Sequence, residues 1–331
     1  MIKEVIENKN VLFITTKNLD YIRNAQEIDL IKNYSKSYKV IGSMEKSYIK
    51  RLIHVYWNIL MISTKNFDTI FIGFSPQLIL PIWAFKFKKN YLVMDFFISM
   101  YDTLVFDRKK FKKESFIAKI LKWIDTKTIL LADNIICDTK AHGRYFVNEF
   151  GADNKKIEVL YLEADKNIYY PKEEKRPEKL KDKFIVLYFG SILPLQGIDV
   201  ILKAIDILKN NKDIFFYVIG PIGDKFSKVD SDTVEYIEWL SQEELAKYIN
   251  ISDLCLAGHF NKEINKAKRT IPGKAYIYEV MNKKMILGDN DATHELYEEG
   301  DGIHYFVEMG NAEKLAEKII YIKNSIKQED I

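Results

Sequence analysis

Residues 268–296 read KRTIPGKAYIYEVMNKKMILGDNDATHEL. The stretch parses as a loop, a helix starting at Pro272, a buried strand at Lys284–Leu287 and a second polar loop. Proline suits the first helical position, where its missing N–H would have had no partner. A helix N-terminus offers open N–H groups and about half a positive charge, which together make an anion site. Lys274 falls in that first turn, and Lys268 and Arg269 lie just ahead of it. Cations are electrostatically misplaced there unless an anion joins them. The stretch is therefore a candidate phosphate site.

Around it runs a strand–helix series. Phe184–Phe189, Ile214–Ile219, Thr233–Glu238, Asp253–Ala257, Lys284–Leu287 and Ile303–Val307 read as strands. Ser241 and Glu244 form a capping box for the helix SQEELAKYIN, and Asn311 opens a last amphipathic helix. The first of these strands ends in GSILPLQGID. Gly190 permits a close turn, and Gly197 lets backbone approach a ligand ahead of a helix over Ile198–Lys209. Gly220-Pro-Ile-Gly223 adds a third permissive loop after the next strand. Three such loops on one sheet edge, with Lys274 among them, point to a phosphate-bearing ligand. Asp289-Asn290-Asp291 has the form of a metal–diphosphate triplet, but Asp230-Ser-Asp232 repeats that form elsewhere, as chance would. The spacing of His259, His294 and His304 makes no metal set, so no metal is expected. Glu295 is placed to accept from sugar hydroxyls.

The first half alternates in the same way. Strands are read at Val11–Thr15, Tyr38–Ile41, Thr69–Gly73, Asn90–Asp95, Asn134–Asp138 and Ile157–Leu162, with helical stretches such as Leu19–Tyr34 and Tyr48–Ser63 between them. Such alternation argues a parallel, doubly wound sheet, with ligands beyond the strands' C-terminal ends. The densest of those ends is DFFISMYDTLVFDR, with Asp95, Ser99, Asp102, Asp107 and Arg108. Its carboxylates either orient a sugar hydroxyl and steady developing positive charge, or cap turns. His142, beyond the next strand, is a further candidate. No GxGxxG follows the first strand, which weakens a dinucleotide-enzyme reading.

The polar run from Asp165 to Lys183 divides the 331 residues into 1–165, a linker over 166–183, 184–310 and a last helix over 311–331 that could pack back toward the first domain. Charge is uneven: residues 1–165 hold 26 Lys and Arg against 19 Asp and Glu, and the rest hold 24 against 28. Cys137 and Cys255 lie inside apolar runs and read as buried thiols of a reducing compartment. The N-terminus lacks the apolar core of a signal peptide, and no run suffices to span a bilayer. RKKFKKESFIAKILK (Arg108–Lys122) carries seven basic residues and one acid among apolar ones. It reads either as an amphipathic helix on an inner-membrane surface or as a solvated helix covering a core. A nucleic-acid partner would want a longer basic stripe.

These motifs carry a resemblance. FGSILPLQGID, ISDLCLAG, TIPGKAY and LGDNDATHEL resemble the nucleotide-sugar domain of family-4 retaining glycosyltransferases of the two-Rossmann GT-B fold. LLADNIICDT and VLYLEADKNIYYP resemble that family's first-domain segments. The resemblance implies two Rossmann-like, doubly wound domains facing across a cleft, the first binding the acceptor and the second the donor. It implies transfer of a sugar from a nucleotide-diphosphate donor to a saccharide or lipid-linked saccharide acceptor, with retention and no metal, in cytoplasmic surface-polysaccharide synthesis. Ser191 and Gln196 stand where the family usually has Arg and Lys, and its paired glutamates would fall on Arg269 and Ile277, with Glu279 two positions late. The diphosphate is then left to Lys274, Arg269, Lys268 and the helix N-termini. The expected donor site comprises Gly190, Ser191, Gln196, Gly197, Gly220, Lys268, Arg269, Lys274, Glu279, Thr293 and Glu295. The expected acceptor site comprises Ser99, Asp102, Arg108 and His142, with Asp95 and Lys274 as catalytic groups. The rival readings are a relative that kept the fold and lost the chemistry, and an epimerase or phosphorylase of the same fold.

Overall fold

A computed structural model describes residues 2–223 and 226–329, the side chains of 327–329 excepted. The chain divides into two units, 1–162 and 163–331.

In the first unit, α1 (Ile2–Ile6), β1 (Asn10–Ile14), α2 (Ile22–Tyr34), β2 (Ser37–Ile41), α3 (Tyr48–Met61), β3 (Thr69–Ile72), α4 (Leu80–Phe87), β4 (Tyr91–Asp95), α5 (Phe116–Ile129), β5 (Asn134–Cys137), α6 (Lys140–Phe150) and β6 (Ile157–Val159) follow in turn. The strands pair in parallel in the order β2-β1-β3-β4-β5-β6. Strands covered on both faces by helices should be continuous apolar runs, as residues 11–14 of NVLFI and 70–72 of TIFI are. One core joins Leu12, Ile14 and Ile72 to Val55 and Ile59 of α3, Leu80 of α4, Ala118 of α5 and Phe146 of α6. The other joins Val11, Phe13 and Phe71 to α1 and to Ile31 of α2.

The second unit runs β7 (Phe184–Phe189), α7 (Ile198–Leu208), β8 (Ile214–Ile219), β9 (Val234–Ile237), α8 (Gln242–Ile251), β10 (Leu254–Gly258), α9 (Gly273–Val280), β11 (Met285–Gly288), β12 (His304–Val307) and α10 (Ala312–Glu329). Its parallel sheet has the order β12-β11-β10-β7-β8-β9. The expected strands are all present, their ends shifted by at most a residue except at β6, which stops three residues early. Each sheet reverses its direction of growth once, at β1/β3 and at β7/β10. Crevices open beyond the C-terminal ends of strands at such switch points.

Three local readings are corrected. Pro272 has extended backbone (φ −64°, ψ 133°) and stands just ahead of α9, so the helix begins at Gly273. Residues 108–122 are not one helix. A wide π-type turn over Asp102–Asp107 ends at Arg108, Lys109 has φ 48°, and α5 begins at Phe116 behind the Ser115 cap. The polar stretch 166–183 lies on the second unit: Tyr169 is buried, Lys172 N–H donates to Asn250 Oδ1, and Arg176 pairs with Asp253. The last helix packs its apolar side, including Leu315, Ile319 and Ile322, into the second unit's core with α7.

Candidate functional site

The switch point between β7 and β10 gathers the side chains that sequence spacing singled out. Gly190 ends β7 with φ 149°, and a Cβ there would stand 2.9 Å from Gln196 Oε1 and 3.0 Å from Lys274 Nζ. The room that glycine leaves is thus taken by the site's own polar atoms. Gly220 ends β8 with φ 139°, and its missing side chain would collide with the Gly190 carbonyl oxygen. Gly197 sits in the left-handed region (φ 70°, ψ 45°) at the head of α7, against the backbone of Phe260 and Asn261. Phe260 N–H donates to the Gln196 carbonyl, which ties the loop after β10 to the loop after β7.

Lys274 projects from the first turn of α9 and is only 5% exposed. Its ammonium donates to Gln196 Oε1 and lies 4.1 Å above the Tyr188 ring, with the Phe189 ring 5.9 Å away. Tyr188 Oη donates to the same Gln196 oxygen at 2.5 Å. Among the described residues no carboxylate pairs with this ammonium, and burial holds the Lys274 pKa well below its ordinary 10.5. A cation stripped of water and given one neutral oxygen is poised for an anion. Neither α7 nor α9 has a side-chain N-cap, whereas α8 in the same unit is capped by Ser241. Two helix starts and a buried ammonium therefore converge where Gly190 ends its strand.

His259, one residue past β10, lies near Lys274, with its Nδ1 3.4 Å from Thr270 Oγ1. It is buried, and burial with the nearby Lys274 charge pushes its pKa down to about 3. Sequence reasoning passed over Tyr188 and weighed His259 only as a metal ligand. Tyr188 sits inside an apolar strand, and His259 has no partner at a recognisable spacing.

The other expected donor residues are spread more widely. Ser191 is exposed next to Gly190; Lys268 is exposed and Arg269 half-buried ahead of α9. Thr293 is buried, and its hydroxyl is engaged with the Gly288 and Asn290 carbonyls at 2.9 and 3.0 Å; Glu295 is half-buried two residues on. Glu279 is displaced. It lies in the last turn of α9 and reaches His304 Nε2 at 2.6 Å, at the N-terminal end of β12. That is the opposite sheet edge from Gly190. Within the Asp triplet, Asp289 pairs with His294 at 2.8 Å, and Asn290 Oδ1 accepts from the Ala292 and Thr293 N–H groups.

In the first unit the expected acceptor residues turn inward, Arg108 excepted. Asp95 is fully buried, and both its oxygens accept from Arg23 at 3.1 Å. Its contact with a reacting centre would require that ion pair to open. Glu27 is buried 3.6 Å from Arg23 and shares it with Asp95. One guanidinium cannot balance two carboxylates, so burial raises the Glu27 pKa well above 4.5. Ser99 donates to Asp125 at 2.7 Å and accepts from the Asp102 N–H, and both residues are buried. Asp125 also accepts from Gln77 and from the N–H groups of Met100 and Tyr101, pinning the loop after β4. His142 is buried with Nδ1 2.6 Å from Asp138; Arg108 is exposed. What faces the β1/β3 switch point is instead an aromatic group. Tyr21 stands 5.5 Å from Phe74 and 6.3 Å from Phe97, with Lys17 over both Tyr21 and Phe74.

No protein-family model matches the chain. An uncharacterized 41.2 kDa protein of the cps region of Klebsiella pneumoniae is 26% identical over 199 residues, 58% of this chain and 53% of that protein. The chitobiosyldiphosphodolichol beta-mannosyltransferase of Kluyveromyces lactis is 26% identical over 273 residues, 70% of this chain and 58% of that enzyme. The chain thus spans a little over half the length of each of these two relatives. Among solved structures, Anabaena HepE in complex with UDP and glucose aligns with a TM-score of 0.62 at 13% identity, over 96% of this chain and 91% of that one. The fold is the GT-B fold.

Proposed function

We propose that the chain is a glycosyltransferase that takes its sugar from a nucleotide-diphosphate donor bound by the second unit. The observation that carries this is the buried Lys274 ammonium, placed without a carboxylate between two uncapped helix starts at the switch point. A departing diphosphate gathers negative charge as the glycosidic bond breaks. Fixed cations and N–H dipoles in a water-poor site stabilise that charge without reorganising. Lys274 and the starts of α7 and α9 fill this role, and Gln196 holds the ammonium in place. Gly190 lets the phosphate approach the backbone, as a side chain there would not.

The finer reading is transfer with retention and without a metal, to a saccharide or lipid-linked saccharide served by the first unit, in surface-polysaccharide synthesis in the cytoplasm. UDP and glucose in the HepE structure support the donor class, and the cps-region relative supports the polysaccharide setting. The second reading, a member that kept the fold and lost turnover, draws on the neutral Ser191 and Gln196.

A thermal-shift panel with UDP, GDP, dTDP, CDP and ADP, with and without magnesium, tests the proposal. A ligand at about 100 times its Kd adds about 2.7 kcal/mol of stability. One responding base, indifferent to magnesium, followed by release of that nucleotide from its sugar conjugate with acceptor extract, supports the enzyme. A flat panel refutes the donor site. A response without any turnover favours the silent relative.

A further inference from the structure

The outward face of α3 is apolar. Its inner stripe, Val55 and Ile59, packs into the first unit's core. Its outer stripe, Ile49, Ile53, Trp57, Leu60 and Met61, is 72, 64, 63, 55 and 68% exposed. Spacings of four, four, three and one put those five side chains in one band along the helix. A helix on an ordinary protein surface turns polar residues outward, so this one is built to be covered.

The neighbouring helices extend the band. Ile82 and Phe85 of α4 are exposed, as are Phe116, Ile120 and Trp123 of α5. All three helices cover the same face of the sheet, because all contribute to the core around Leu12 and Ile14. Tyr56 of α3 meets Trp83 of α4 edge-on at 6.0 Å, and Lys86 of α4 donates to the Ile59 and Leu60 carbonyls. An exposed apolar surface built from three adjoining helices exceeds the scattered residues of a solvated face.

The charges around this surface are nearly all of one sign. Within 45–61, 82–89 and 108–123 the exposed residues include ten Lys and Arg but only Glu45 and Glu114 as acids. Sequence reasoning assigned the basic run 108–113 to a helix. It is a loop beside α5, which leaves its lysines free to follow a surface. A second copy of the chain would bring the same cations against these. A surface of anionic headgroups over an apolar interior complements both features. Among the described residues no helix is long and apolar enough to cross a membrane.

We propose that the α3–α4–α5 face docks the protein on an anionic lipid leaflet. Its apolar band enters the acyl boundary, and the lysines beside it meet the phosphates. The surface does not depend on the donor-site reading and would hold if that reading failed.

The test is flotation of the full chain with vesicles of phosphatidylglycerol and phosphatidylcholine, against vesicles of phosphatidylcholine alone. Binding is expected only to the anionic vesicles and should fall steeply with salt. I53E with W57E, and separately K112E with K113E, should each weaken it by about tenfold or more. All four side chains lie outside the core, so the unfolding transition should stay at its wild-type position. Should either variant fail to fold, wild-type tryptophan quenching by brominated acyl chains, reduced in W57F, reports the same contact. Wild-type protein that ignores anionic vesicles overturns the proposal, as does equal binding by well-folded variants. So does a dimer that I53E with W57E dissociates, because the face would then pair with its own copy.

Discussion

Lys274→Met separates affinity from stability, because the two should move in opposite directions. The ammonium is desolvated and holds one neutral oxygen and a ring face. The effective penalty for burying such an ion is several kcal/mol. Against it stand about 1.5–3 kcal/mol from a hydrogen bond to a charged group and about 2 kcal/mol from a desolvated cation–π contact. These sums roughly cancel. Methionine keeps the packing volume and drops the charge, so stability should hold or rise by about 1 kcal/mol, which is about 2–4 °C in Tm for a unit of this size. Nucleotide-diphosphate affinity should instead fall by roughly 10- to 150-fold, the worth of one charge-assisted hydrogen bond. Calorimetric titration and a melting curve on the same preparations decide it. A variant that binds as tightly as wild type removes Lys274 from the donor site, and one that loses stability along with affinity refutes the argument from burial.

The same residue has a signature in pH. Its folded-state pKa lies below the ordinary 10.5. Between those two values the unfolded chain holds a proton that the folded chain lacks, so this group makes stability rise with pH across that window. The penalty is fullest below it, where the buried amine must carry its charge. A bound diphosphate restores the ammonium, so binding within the window should take up a proton. That uptake appears as a dependence of the observed binding heat on the buffer's ionisation enthalpy, and Lys274→Met should abolish it.

Three further outcomes follow from neighbouring geometry. Gly220→Ala places a Cβ on the Gly190 carbonyl oxygen at a φ of 139°, which should lower stability by about 2 kcal/mol or more and loosen nucleotide binding; an unchanged melting curve would contradict it. His259 is neutral in the fold down to about 3 but protonates near 6.5 when unfolded, so stability should drop as pH falls through that window, by about 2 kcal/mol at pH 5. His259→Gln should flatten the acid limb of a pH–stability profile. Glu27 keeps its proton above 4.5 in the fold, so its contribution to stability falls as pH rises through its raised value. Glu27→Gln should match wild type below 4.5 and outlast it in urea at higher pH, and a variant weaker throughout would show that Glu27 supports Arg23 as a carboxylate.

What could be read beforehand depended on whether the cause was local. Strands buried on both faces are continuous apolar runs, so each was visible where it stood. Gly190, Gly197, Gly220 and Lys274 were visible too, because a strand end followed by a helix start is a local event. The fate of Asp95 was not, since its partner Arg23 lies 72 residues away. Glu279 likewise answers to His304, 25 residues on. In both cases a carboxylate at a promising position was claimed by a cation or imidazole that only the fold brings near. The outer stripe of α3 failed for a different reason. In YIKRLIHVYWNILM one wide apolar arc runs from the inner stripe round to the outer one, and sequence alone cannot separate an arc covered wholly by protein from one covered in part by something else. Chain topology makes the separation. α3 lies in the outermost layer of its unit, over a core already filled by Val55 and Ile59, so the outer part of that arc has no protein of that unit left to meet. Hydrophobic pattern told how much of the helix avoids water; only the layer order told that part of what it avoids water with lies outside the unit.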